Sequence, residues 1–554
     1  MVGLDVFVTP GTAVVQLHGA RGAVIGRLIR KGEGQAIAGS LDAPETARIL
    51  SDAGVRLCRD YWGNYCAFLA GSGQEPLWAV RDPAGLLPCY KMALDGEIWL
   101  ASDIDLLGQA ARGGFAIAWD DLALFLQAPT LRRVQTCLRD VSELRPGFAT
   151  PLDARGAPAR LLWDPWRHAR PHRPQVRPDE LEAVIRHSVA ALSAPYRRVL
   201  VAASGGLDSS IVAAALKLEG RPFDCFTMAT LQPSGDERPY ARLVAKHLGV
   251  RLIDAVYDPQ RIDLLTPSAG HLPRPVGKYF LQEMRRGLAG AAAQTGAGAA
   301  FTGNGGDNVF CYLHSVRPIL DRIRSEGPFR GAWRTALDMC RITGADIFTI
   351  ARLVAHDLLR PAQFHHGARD DALLGSGVRA DLVREMLDPH LDGRLAGPVG
   401  KAQHISMLMR IRNYVEEDRR GSSLPVIAPL ISQPVVEFCL GVPSWEWSAG
   451  GINRALARTA FSRHLPERIV ARTAKAGPDG FTAHLFERNR AVIRSMLLDG
   501  LLASNGVIDR HSVESALAHP AIVQSQRHHR MLMLTEAEAW CRSILGRDTA
   551  QIRS

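Results

Sequence analysis

The stretch Val199-Leu200-Val201-Ala202-Ala203-Ser204-Gly205-Gly206-Leu207-Asp208-Ser209-Ser210 decides the fold. Its first five residues form a short unbroken apolar run, which fits a strand buried on both faces. Ser204 and then two glycines follow. Then comes a helix-like stretch from Ser209 to Glu219, closed by Gly220. Working outward, residues 223–229 read as the next strand and 240–248 as a helix with Ala241, Val244, Ala245 and Leu248 on one face. Residues 250–256 and 299–302 read as further strands. This alternation predicts an α/β fold with a doubly wound parallel sheet. From about residue 315 onward the pattern is mainly helical, and residues 315–400 carry no motif with a chemical reading.

The loop between strand and helix has a chemistry of its own. Gly205 and Gly206 let the backbone come close to an anion. The helix start would face that anion with its free amides and the positive end of the dipole. Ser204, Ser209 and Ser210 add hydroxyl donors. Asp208 would repel a phosphate, unless it holds a Mg2+ ion that bridges phosphate oxygens. The G-x-x-x-x-G-K-[ST] pattern is absent, so this is not a Walker loop. Without a ligand the same residues would be an ordinary strand-to-helix turn.

Ser204-Gly205-Gly206-Leu207-Asp208-Ser209-Ser210 resembles the pyrophosphate loop of the N-type ATP pyrophosphatases. These enzymes split ATP between its α and β phosphates and adenylate a substrate oxygen. A second block, Thr302-Gly303-Asn304-Gly305-Gly306-Asp307-Asn308-Val309-Phe310, resembles the S-G-E-G-S-D-E-V-F segment of asparagine synthetases. The resemblance implies ATP and Mg2+, with Asp307 joining Asp208 on the metal. It places Gly303 and Met228 with the nucleotide-binding residues. Arg81-Asp82-Pro83-Ala84-Gly85-Leu86-Leu87-Pro88-Cys89-Tyr90 and Leu144-Arg145-Pro146-Gly147 resemble signatures of the glutaminase-like domain of asparagine synthetases. Near the C-terminus, Ala428 to Ser432 and Val436-Glu437-Phe438 resemble V-P-F-L-D…V-E-F. Arg454 and Arg458 match a following K-x-x-x-R pair, with a phosphate role for both, or simply a solvated helix face. Residues 472–481 resemble the closing motif, where Lys475 matches a lysine that contacts phosphate and stabilises transition-state charge.

By this resemblance, residues 1–165 form an N-terminal Ntn-hydrolase (glutaminase)-like αββα domain. Residues 166–178 are a linker, since Arg167-His168-Ala169-Arg170-Pro171-His172-Arg173-Pro174 is basic, Pro-rich and aperiodic. Residues 179–554 form the adenylating domain with its helical C-terminal part. Two departures matter. Glutamine-dependent members use a cysteine at position 2, where this chain has Val2. Glutamine hydrolysis is therefore not expected. Asn304 stands where asparagine synthetases carry Glu; an amide orients a substrate but is no general base. Glu416, Glu417 and Asp418 are candidates for the base, although the mixed run 410–420 also fits a solvated helix. The block Gly303 to Phe310 and residues 427–438 are most similar to lasso-peptide macrolactam cyclases, with β-lactam synthetases also close. That resemblance implies ring closure on a ribosomally made precursor (core) peptide, with a leader-peptide protease and a leader-binding protein as partners. An ammonia-using asparagine synthetase, a small-molecule lactam synthetase, a non-catalytic peptide-binding scaffold and a tRNA-modifying enzyme are the alternatives.

Composition sets the bounds. The chain has 554 residues, 47% hydrophobic and 22% charged, as in ordinary globular proteins of two or three domains. Its net charge of +10 fits phosphate-rich ligands, nucleic acid or an anionic surface without choosing among them. The nine cysteines show no C-x-x-C spacing. They read as reduced, buried thiols, with no zinc site or disulfide framework. No apolar run approaches a membrane span and the N-terminus lacks a signal peptide, so a cytoplasmic protein without membrane or nucleic-acid partners is expected.

Overall fold

A computed structural model describes residues 5–8, 11–70, 76–110, 114–130, 132–152, 158–169, 176–230, 236–359, 370–375, 377, 397–416, 424–473, 479–519, 522–523 and 525–551. The strand Val199–Ala202 lies in the middle of a five-stranded sheet. The order is Leu252–Val256, Phe223–Ala229, Val199–Ala202, Ala300–Thr302 and Val426–Ile427, and every neighbouring pair is parallel. Val199, Leu200 and Val201 are buried, which is why their run is apolar without alternation. The chain first winds outward to Leu252–Val256 and then returns to the other side of the starting strand. The order therefore reverses between Val199–Ala202 and Ala300–Thr302. At such a reversal two loops leave the carboxyl ends of adjacent strands in opposite directions and open a crevice.

The helices follow from the same pattern. Leu207–Leu218 buries Ile211 to Leu216 against the sheet. Arg238–Leu248 buries Ala241, Val244, Ala245 and Leu248, and Gly249 ends it with a left-handed φ of 66°. The N-terminal part is rich in strands. Tyr61–Leu69 pairs antiparallel with all of Gly22–Arg30 and also with Trp78–Arg81, inside a seven-stranded sheet. A three-stranded antiparallel sheet joins Glu97–Ala101, Tyr90–Leu94 and Val141–Glu143. The molecule is a mixed α/β protein.

The stretch read as an open linker begins as ordered structure. Pro165–Ala169 is a helix with Trp166 and Ala169 buried, and the Asp164 carboxylate accepts from the Trp166 amide at 3.0 Å. One turn is too short to show a period, so its basic residues hid it. Residues 170–175 lie outside the described residues. One apolar cluster runs from Trp62 and Tyr65 through Trp166 and Ala169 to Ile185, Val199 and Val201. The N-terminal strands and the parallel sheet therefore share a core. All nine cysteines are free, and only Cys340 is not fully buried. Among the described residues, no helix is long and apolar enough to cross a membrane.

Candidate active site

Two glycine-rich loops meet at the reversal of strand order. The first, Ser204 to Gly206, leads into Leu207–Leu218, whose N-terminus has no side-chain cap. Its first amides thus remain available to an anion. Gly205 has a φ of 68°, and a Cβ there would lie 2.4 Å from the Tyr240 Cβ. The serines stiffen the loop: Ser210 Oγ donates to the Gly206 carbonyl at 2.7 Å, while Ser204 Oγ lies 3.3 Å from Ser209 Oγ and accepts from the Gly206 amide at 3.3 Å. Ser204 is exposed, whereas Ser209 and Ser210 are buried. The last two therefore act mainly on the loop's shape.

The second loop packs directly on the first. A Cβ on Gly303 would lie 2.4 Å from the Ser209 amide nitrogen, and one on Gly306 would lie 2.3 Å from the Asp208 carboxyl carbon. Only glycine allows this approach at both positions. The contact brings Asp208 and Asp307 together. Both accept from one nitrogen: Arg454 Nη1 lies 3.0 Å from Asp208 Oδ2 and 2.7 Å from Asp307 Oδ1. Asn304 is exposed on the same loop, its amide 3.3 Å from Thr302 Oγ1. Met228 sits near the end of Phe223–Ala229, half-buried, its sulfur facing Gly287.

Arg454 and Arg458 differ. Arg454 points at the two carboxylates, as expected of a residue serving charged ligands. Arg458 does not face the crevice. Its guanidinium donates to the carbonyls of Asn453, Val470 and Arg472 and to Asn453 Oδ1. Burial, with Arg454 beside it, lowers its pKa to about 10. Arg454 thus faces acids of both loops, while the donors of Arg458 are spent on tying chain segments together.

Sequence reasoning passed over two contributors. Arg472 Nη1 donates to the Gly205 carbonyl at 3.1 Å, its Nη2 pairs with Glu237 at 2.8 Å, and its guanidinium stacks 3.9 Å from the Tyr240 ring centroid. It clamps the first loop to the helix Arg238–Leu248. The only signal was its place at the head of the closing motif. Asn453 Oδ1 accepts from both Arg454 Nε at 3.1 Å and Arg458 Nη2 at 3.0 Å, and so joins the two arginines.

The acidic run also differs from expectation. Of its three acids only Glu416 is described, and it does not lie on a solvated face: Arg412 and Glu416 are 7% and 2% exposed. Glu416 Oε1 lies 2.6 Å from Arg81 Nη2, and its Oε2 accepts from Arg132. Both of its carboxylate oxygens are thus taken up by buried guanidinium donors. Glu417, Asp418 and Lys475 lie outside the described residues. The described residues hold no cluster of three or more metal-ligating side chains; Asp208 and Asp307 are a pair, joined by their shared contact with Arg454 Nη1.

A family profile described as asparagine synthase matches residues 180–542. Curated protein sequences give no significant match.

Proposed function

This chain belongs to the asparagine synthase family, and on that premise we propose that it closes a macrolactam ring on a ribosomally made core peptide. In this reading an Asp or Glu side chain of the peptide is adenylated by ATP. The peptide's N-terminal amine then displaces AMP and forms an isopeptide bond. The family itself is one of ATP-dependent amide-bond formation. The observation that carries the reading is the meeting of Asp208 and Asp307 on a single cationic nitrogen, where the uncapped helix start opens.

Mg2+ suits this pair, because two hard carboxylates leave several coordination positions for phosphate oxygens; when bound, the ion neutralises charge on the polyphosphate. The chain's own groups do the rest. Amides at the start of Leu207–Leu218 hold phosphate, and Ser204 adds a donor. Ser209 and Ser210 keep the loop in shape. Gly303 and Gly306 keep the second loop close enough for both acids to serve one ligand. The peptide carboxylate attacks the α-phosphorus, the bond to the bridging oxygen breaks, and pyrophosphate leaves. The amine next attacks the acyl carbon, and AMP departs with one carboxylate oxygen. Lys475 is assigned to the anionic states of both steps. Asn304 orients the substrate, and Glu417 and Asp418 are the acids assigned to take the amine proton. Met228 belongs to the nucleotide wall.

The narrowing to ring closure rests on the block Gly303 to Phe310 and on residues 427–438, which are most similar to lasso-peptide cyclases. Burial in the N-terminal part agrees with it. Cys58, Cys66, Cys89 and Cys137 are all buried, and burial pushes the Cys58 and Cys137 thiols up to about 12. The hydrogen bond with Cys66 instead lowers the Cys89 thiol, but all four sulfurs are buried, so none presents itself to glutamine. We assign residues 1–165 to a glutaminase-like scaffold without that nucleophile and residues 179–554 to adenylation. A leader protease and a leader-binding protein would supply the substrate in the cytoplasm.

The test is to incubate the protein with ATP, Mg2+ and the precursor peptide with its leader removed. AMP, pyrophosphate and a product lighter by one water are expected. ADP as the product would overturn adenylation. Asparagine formed from aspartate and ammonia would instead favour the simpler synthetase.

A further inference from the structure

The guanidinium of Arg454 stands where the metal of the proposed reaction would stand. One of its nitrogens lies 3.0 and 3.1 Å from the two oxygens of Asp208 and 2.7 Å from Asp307 Oδ1. These are the distances of charge-assisted hydrogen bonds. The side chain is 7% exposed, so the contact is screened little by solvent.

The backbone is shaped for this placement. Arg454 has a φ of 57°, in the left-handed region that a non-glycine residue rarely occupies. It sits as the residue before the helix Ala455–Phe461. Its Nε is held by Asn453 Oδ1, and Asn453 is gripped by Arg458 through both its side chain and its carbonyl. Such strain persists only where the surroundings over-determine it. The Tyr312 ring lies 5.1 Å from the guanidinium carbon and covers it from another side.

We propose that Arg454 is an internal counter-ion that bars free divalent metal from the Asp208–Asp307 pair, so that metal enters only with the nucleotide. A bare divalent cation must displace a bound positive charge and leave it beside itself. The metal–nucleotide complex brings phosphate oxygens, to which the displaced guanidinium can turn. Arg454 is thus a positioning residue that couples metal entry to nucleotide entry. This rests on the reading of Asp208 and Asp307 as the metal pair.

The experiment measures Mn2+ binding by titration calorimetry and by loss of the free-ion paramagnetic resonance signal. It uses the full chain, with and without α,β-methylene-ATP, which cannot be cleaved at the α–β bond. Wild type without nucleotide should bind Mn2+ at least about tenfold more weakly than Arg454→Ala, a normal size for coupling between two competing ligands. With the nucleotide analogue, wild type should gain Mn2+ affinity more than Arg454→Ala does. Arg454→Lys keeps the charge and should keep the weak nucleotide-free binding, which holds the test open should the alanine variant not fold. Equal Mn2+ affinity in wild type and Arg454→Ala, or tight binding in Arg454→Lys, overturns the counter-ion role alone. No Mn2+ binding in any of the three proteins, with the analogue present, overturns the metal-pair reading beneath it.

Discussion

Arg81 and Glu416 face each other 2.6 Å apart, with side chains 0% and 1% exposed, although 335 residues separate them in sequence. Arg81 ends a strand of the seven-stranded sheet, and Glu416 follows the helix Arg412–Val415. Glu143 completes the cluster, accepting from Arg81, Arg132 and Arg274 at 2.6 to 2.8 Å. The three arginines hold its carboxyl far below the usual carboxylate range despite its burial. Removing one member leaves a buried charge without its partner. Glu416→Ala or Arg81→Ala should each cost about 3–5 kcal/mol of stability, read by urea unfolding. A loss under about 1 kcal/mol in both would show that the pair does not hold the two parts together.

The glycine contact makes a sharper prediction about binding. Gly303→Ala puts a methyl 2.4 Å from the Ser209 amide nitrogen, so one loop must move. Mg·ATP should lose its stabilising shift of the melting temperature, while circular dichroism of the helices stays unchanged. Gly344→Ala is the control for a left-handed glycine away from the crevice: with open space around it, it should lose a little stability and no nucleotide shift.

Asp208→Asn and Asp307→Asn keep shape and remove charge. Each should lower AMP release by about 100-fold or more, the scale seen when one preorganised electrostatic group is lost. Arg458→Ala should act differently: it should lower the melting temperature through the freed carbonyls of residues 453 and 472. The two effects separate in a plot of rate against stability.

Glu536 predicts the pH dependence. Burial raises its carboxyl pKa to about 7, although the Ser268 amide and hydroxyl donate to it at 2.6 and 2.8 Å. Its other oxygen, Oε2, has no hydrogen-bond partner. The native state therefore holds the proton more tightly than the unfolded chain. The stabilising share is complete at low pH, falls between about 4.5 and 7, and is gone above, a change of no more than roughly 3 kcal/mol. Glu536→Gln mimics the protonated form. It should flatten this slope and raise the melting temperature at pH 8. An unchanged slope would place the titration elsewhere.

Thiol chemistry offers a direct check on the packing. A thiol reagent added to the native protein should modify Cys340 quickly and the other eight cysteines only on unfolding. A second fast thiol among Cys58, Cys66, Cys89 and Cys137 would reopen the question of a glutaminase nucleophile.

The sequence made some of this plain and hid the rest for physical reasons. Val199 to Ser210 was legible because the buried strand, the two glycines and the acid are local and adjacent. So was the switch-point crevice, since alternation of strand and helix fixes where loops open. The partner of Asp208 came from resemblance, not from pattern. The posture of Arg454 was not legible, because a left-handed φ and a bond to residues 147 and 246 positions away leave no local trace. The partners of Glu416 were hidden for the same reason. Mixed charges read as a solvated face unless their partners are known, and Arg81 and Arg132 lie 335 and 284 residues away.

The strands Ala300–Thr302 and Val426–Ile427 lie side by side, yet residues 303–425 run between them. Two short rungs of ladder anchor this long excursion at its far end. The excursion is tied down where Met407 and His404 bond to Asn308 and Val309, but its helix Ile347–Leu359, with only Ile350 buried, can change in length without shifting the register of the central strands. The outer helix Ile347–Leu359 is therefore the place to graft new segments, where changes should leave the two glycine-rich loops and their meeting at Arg454 in place.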